Sequence, residues 1–200
     1  MKPNRLPKPI RDHLASIGDA GAIAPSDDNG VFVSIRRSDD APYPFAATFF
    51  DPIDDADLDR FCEQNDVEIP PRYAKFLAST NGAEIYRLSL YGAPLSMLND
   101  PPLLDRNATQ PLCLATANRA WKYGFTDDDI GFHFGAGDWN DDDEQIGYFL
   151  SGNAVLGVLN DGQLVSRWSS FDKFLTAEVL RLCDMHADYE AFMNDLLKDA

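Results

Sequence analysis

The chain has 200 residues, 44% hydrophobic and 25% charged, which suffices for one domain with a real apolar core. Its 33 Asp and Glu against 17 Lys and Arg leave a net charge of −16. Such a surface repels nucleic-acid phosphates and anionic membranes and attracts a cation or a basic protein, and acidity that serves only solubility is the competing reading. The basic start MKPNRLPKPIRDHLA is broken by Pro3, Pro7 and Pro9 and leads into no apolar h-region. No apolar run approaches the ~20 residues that cross a bilayer, so the chain reads as cytoplasmic. Cys62, Cys113 and Cys183 are odd in number, far apart and without a CxxC pair, as expected of small core residues in a reducing compartment.

In chain order, the Pro-rich start reads as a loosely held arm leading to a short helix over residues 10–17, and PSDDNG at 25–30 as a turn. VFVSIRR and FAATFF (45–50) read as strands. DPIDDADLDRFCEQND opens a helix capped by Asp54 or Asp55, with Leu58, Phe61 and Cys62 as its apolar stripe. IPPRYAKFLASTNG (69–82) is a short helix marked at both ends. Pro70 holds Ile69 extended, Pro71 suits the first helical position, Tyr73, Phe76 and Leu77 share a face, and Asn81-Gly82 is expected to end it. EIYRLSLYG (84–92) alternates like one strand, and APLSMLNDPPLLDRNATQP is a long loop. LCLA (112–115) reads as a short buried strand, TANRAWKYG as a helical turn and IGFHF (130–134) as a strand. QIGYFL, AVLGVLND and QLVSRW form an antiparallel meander turned by SGN and by Asp161-Gly162. A stripe of Phe171, Phe174, Leu175, Val179, Leu182, His186, Tyr189, Met193 and Leu196 predicts a long C-terminal helix, or two short ones, against the sheet.

An acidic helix, then Ile69-Pro70, Tyr73, Phe76-Leu77 and Asn81-Gly82, then a Gly-rich stretch from Gly131 to Gly137 and a closing Ser170-Phe171 with Phe174-Leu175, resembles the SUKH superfamily over roughly residues 52–182. The usual Leu before the first proline is Ile69 here, and residues 1–50 have no counterpart. The resemblance implies an α+β fold: one SUKH-like domain over 51–200, a largely antiparallel sheet flanked by helices with a helix at the C-terminal end. Residues 1–50 would then be a partly ordered extension with possible extra strands. The resemblance also implies a non-catalytic binding protein. Bacterial members are mostly immunity proteins that neutralise polymorphic toxins, often nucleases, delivered by contact-dependent or type VI systems; others are regulatory scaffolds.

The candidate site is the acidic stretch FTDDDIGFHFGAGDWNDDDEQIG, in which Asp127, Asp128, Asp129, Asp138, Asp141, Asp142, Asp143 and Glu144 run uninterrupted by Lys or Arg. One reading is a docking patch for a basic toxin, with Trp139 as apolar anchor. A second is a Ca²⁺ loop, against which stands the spacing: with Asp141 as first ligand, the required Gly falls at Ile146. A third is a solvated loop. His133 alternates with Phe132 and Phe134 and so points to the other face, toward solvent or the acidic loop; His186 reads as a core or boundary residue. Trp168 reads as core, and Trp121 as core or a contact beside Arg119 and Lys122. HExxH, GxSxG, GxxxxGK[ST] and GxGxxG are absent, so the reading calls for no enzyme, metal or cofactor. It expects a protein toxin as partner, neither nucleic acid nor membrane, and leaves the oligomeric state open.

Overall fold

Among the described residues, nine strands follow one another in the same order along the chain and across one sheet, every neighbouring pair antiparallel. The computed structural model describes residues 8, 11, 22–23, 31–36, 45–95, 111–124, 130–140 and 144–198. Strands β1 (Ala22–Ile23), β2 (Val31–Arg36) and β3 (Phe45–Phe50) form one flank, and β3 pairs with β4 (Ala83–Ile85). Next come β5 (Leu88–Leu90), β6 (Phe132–Asp138), β7 (Gln145–Ser151), β8 (Ala154–Leu159) and β9 (Leu164–Trp168). Helices α1 (Asp55–Asn65) and α2 (Pro71–Leu77) lie between β3 and β4 in the chain, α3 (Leu114–Gly124) between β5 and β6, and α4 (Phe171–Lys198) after β9. This is the expected α+β architecture, with a single 28-residue helix at the end rather than two. Of the predicted helix at 10–17, residue 11 alone is described, and it is helical; the turn at 25–30 and residues 96–110 of the predicted loop lie outside the described residues, as do the side chains of Trp121, Cys183, His186, Tyr189, Met193 and Leu196.

The local chemistry explains most boundaries. Asp54 caps α1, its Oδ1 accepting from the Asp57 N–H at 2.8 Å, with Asp55 and Asp57 at the positive end of the dipole. Pro71 occupies the first position of α2, and Tyr73, Phe76 and Leu77 turn inward. Asn81-Gly82, however, does not end this helix, which stops at Ala78. Asn81 instead braces the chain after β5: its Oδ1 accepts from the Ala93 N–H at 2.8 Å and its Nδ2 donates to the Ala93 carbonyl at 3.0 Å. Gly82 takes φ +87° to lead into β4, and a Cβ there would sit 2.7 Å from the Leu90 carbonyl oxygen. The meander holds as read, with Gly152 at φ +59° and Asn153 forming the two-residue turn between Ser151 and Ala154.

Two elements differ from expectation. EIYRLSLYG is not one strand: it doubles back as the β4–β5 hairpin, Ile85 opposite Leu88, with Tyr86 at φ +53°. LCLA is not a strand: Cys113 makes one parallel bridge to Gly92, and α3 starts at Leu114 and runs for eleven residues.

The core fills the space between one sheet face and the helices. Leu58 and Phe61 from α1, Tyr73, Phe76 and Leu77 from α2, and Phe171, Phe174, Leu175, Val179 and Leu182 from α4 meet Ile85, Leu88, Leu90, Phe134, Ile146, Tyr148 and Leu150 of the sheet. Phe49 of β3 belongs to the same cluster, so the first flank of the sheet shares this core. Trp168 packs against it, half-buried.

Candidate functional site

The later acids of the stretch, from Asp138 to Glu144, belong in sequence to the end of the β6–β7 hairpin, where Asp138 faces Gln145, while Asp127, Asp128 and Asp129 precede β6. The loop base is closed by its own polar groups. The Trp139 N–H donates to the Glu144 carbonyl at 2.7 Å, Asn140 Nδ2 to Glu144 Oε2 at 2.9 Å, and the Glu144 N–H to Asn140 Oδ1 at 3.3 Å. Asp141, Asp142 and Asp143 fall in sequence between these two clamped residues and lie outside the described set, as do Asp127, Asp128 and Asp129. Glu144 is exposed. Of the singled-out residues, one is buried and one partly so. Asp138 is 3% exposed and ion-paired with Arg87 from the β4–β5 turn. Trp139 is half-buried and packs against the core.

Arg181 of α4 fastens the hairpin from the helix side. Its guanidinium donates to the carbonyls of Asp138 (2.6 Å) and Trp139 (3.0 Å) and lies 5.5 Å from the centre of the Trp139 ring. It also donates to Glu178 Oε2 from two nitrogens, at 2.9 and 2.7 Å, while the Tyr148 hydroxyl donates to the same oxygen at 2.6 Å. Glu178 is 2% exposed, and this set of charge-assisted bonds supports its buried charge. Sequence reading missed Arg87, Arg181 and Glu178. Arg181 and Glu178 stand three apart on α4 and Glu178 sits beside Val179 on the apolar stripe, which is the signal that could have shown them.

The sheet face away from the helices' core carries a second polar group. Thr48, Glu84, Ser89, Ala136 and Gly147 stand opposite one another on successive strands. Ser89 Oγ donates to Glu84 Oε2 at 2.7 Å. Burial pushes the Glu84 carboxyl up from its ordinary 4.5 to about 8, against the opposing effect of the Ser89 bond. His133 does not face solvent or the acidic loop: it is 8% exposed, stacked on Phe149 at 4.6 Å and edge-on to Tyr91 at 5.1 Å. Asn118 of α3 clamps its backbone, accepting from the N–H at 3.1 Å and donating to the carbonyl at 2.6 Å. Burial lowers the His133 imidazole from 6.5 to about 4.

The two groups act on stability with opposite signs. Between pH 4 and 6.5 the unfolded chain binds a proton that folded His133 refuses, so stability falls as the pH drops through that window. Between pH 4.5 and 8 folded Glu84 keeps a proton that the unfolded chain releases, so stability falls as the pH rises. Glu84→Gln is therefore expected to gain on the native chain by on the order of 1 to 2 kcal/mol at pH 8.5, below the full linkage value because solvent relieves a half-buried carboxylate. At pH 5 the gain should vanish. Urea midpoints at the two pH values check this, and a difference independent of pH would refute the assignment.

Among the described residues, no group of three His, Cys, Asp or Glu side chains is placed to hold a metal ion, and no helix is long and apolar enough to cross a membrane. The features present are a β6–β7 hairpin whose base is closed by Trp139, Asn140 and Glu144, on an antiparallel α+β scaffold. Residues 52–177 match the SMI1 / KNR4 family (SUKH-1), and the chain belongs to that family. The family includes immunity proteins and is generally non-catalytic. No curated protein and no solved structure matches the chain.

Proposed function

We propose that this protein is a cytoplasmic immunity protein that binds a cognate basic bacterial toxin, of the nuclease type, and occludes its active site. The observation that carries the reading is the family match over residues 52–177, and a net charge of −16 supports it. A nuclease is basic where it meets phosphate, so an acidic inhibitor can occupy the same field. The docking surface in this reading is made by Asp127, Asp128, Asp129, Asp141, Asp142, Asp143 and Glu144. Asp138, buried, and Trp139, half-buried, stand at the end of β6 that leads in sequence into Asp141, Asp142 and Asp143.

Co-expression with the neighbouring gene, scored by rescue of growth, tests the function. Absence of rescue, together with capture of several unrelated partners, would favour a regulatory scaffold of the same fold. The surface is tested separately with Asp141→Asn, Asp142→Asn and Asp143→Asn combined. Stopped-flow association with the toxin at low salt should slow about tenfold or more, with little change in dissociation and a shallower salt dependence. An unchanged rate and salt slope would remove the hairpin from the interface.

A further inference from the structure

We propose that the groove between α2 and the first turn of α4 binds a short acidic segment of a partner protein, with carboxylates against Arg72 and Lys75 and an apolar side chain over Phe76 and Phe171. The groove has a volume of about 290 Å³, which suits one or two side chains rather than a large ligand. It lies where the two segments PRYAKFL and SSFDKF meet. The inward half of α2, Tyr73, Phe76 and Leu77, is consumed by the core. The outward half is cationic: Arg72 and Lys75 are exposed and line the groove, and α2 carries no acid. In a chain of net charge −16 this wall attracts what the rest of the surface repels. Arg72 is already oriented, donating to the Asn153 carbonyl at 3.0 Å from the β7–β8 turn.

The floor is apolar and fixed. Phe76 and Phe171 meet edge-on with ring centres 5.4 Å apart, both largely buried, so a side chain entering from outside covers the little of them that shows. The opposite wall carries Asp172. It disfavours a compact dianion filling the groove and sorts a peptide's acids to the α2 side. Ten residues of α4 separate Phe171 from Arg181, about 15 Å of helix, so this groove and the acidic hairpin are separate surfaces of opposite sign. The inference stands whether or not the hairpin binds a toxin.

Selection of a random heptapeptide library on the full chain tests it. Enriched peptides should carry Asp or Glu flanking an apolar residue, and fluorescence anisotropy of a labelled winner should show at least tenfold weaker binding to Arg72→Glu combined with Lys75→Glu. Both positions are exposed, so the variant should fold like the native chain. Amide NMR shifts on adding the peptide should concentrate in residues 72–79 and 170–173. Enrichment of no acidic consensus, binding indifferent to the double substitution, or the same shifts produced by inorganic phosphate alone would overturn the proposal.

Discussion

Tyr73→Ala is expected to lower the free energy of unfolding by about 4 kcal/mol, the middle of the range for a buried aromatic cut to a methyl group. Tyr73 is fully buried where α2 crosses the sheet, with ring centres of Phe76, Phe134 and Phe171 at 5.3 to 5.9 Å and Phe132 at 6.0 Å. The neighbours are rings held by three different elements, so the site cannot collapse by moving one of them. Tyr73→Phe separates the polar share. The hydroxyl hydrogen is shared between the carbonyls of Tyr91 and Phe134. The Phe134 oxygen also accepts from the Tyr91 N–H at 2.9 Å and keeps that partner, leaving the Tyr91 carbonyl to bear the loss, about 1 to 2 kcal/mol. Urea denaturation of both variants checks the pair. A loss below about 1.5 kcal/mol for Tyr73→Ala would mean that α2 is not wedged into the core as described.

This residue shows what kind of information a sequence displays. The helix around Tyr73 was legible because proline at the start and three apolar residues at helical spacing act locally. The antiparallel meander was legible for the same reason, since Gly152-Asn153 and Asp161-Gly162 are turn chemistry set between β-branched runs. The β4–β5 hairpin was hidden because its turn residues, Tyr86 and Arg87, are not turn formers. Its trace is a change of parity: the buried positions are odd at Ala83 and Ile85 and even at Leu88 and Leu90. Asn81-Gly82 misled for a different reason. A helix stop and a cross-brace to Ala93 use the same two residue types, and only the distant partner distinguishes them.

The candidate site divides along the same line. Clustered carboxylates are visible in any linear reading, but which of them face water depends on residues far away in the chain. Asp138 looks like its neighbours in sequence, yet Arg87, fifty-one positions earlier, takes its charge into the interior. His133 alternates as expected with Phe132 and Phe134. Its own face is nonetheless covered, because Phe149 and Tyr91 lie against it. Alternation tells that two faces differ, not that one of them is wet.

Arg181→Met is the second large effect expected, a loss of about 3 to 5 kcal/mol at neutral pH. The substitution preserves much of the side-chain stem and removes the charge. Glu178 is then left 2% exposed with the Tyr148 hydroxyl as its remaining donor, and the carbonyls of Asp138 and Trp139 lose theirs from the guanidinium. Glu178→Gln in the same background should restore a large part of the loss, because the penalty lies in the stranded carboxylate more than in the missing bridge. The consequence for binding is separable from stability. Since Arg181 also ties the Trp139 and Asp138 backbone to α4, the hairpin in the double variant keeps every loop charge but loses its tether. Association with the proposed toxin partner, measured well below the unfolding midpoint, should therefore slow for the double variant even where its stability has recovered. If it associates as fast as the native chain, the tether stabilises the fold without orienting the carboxylates.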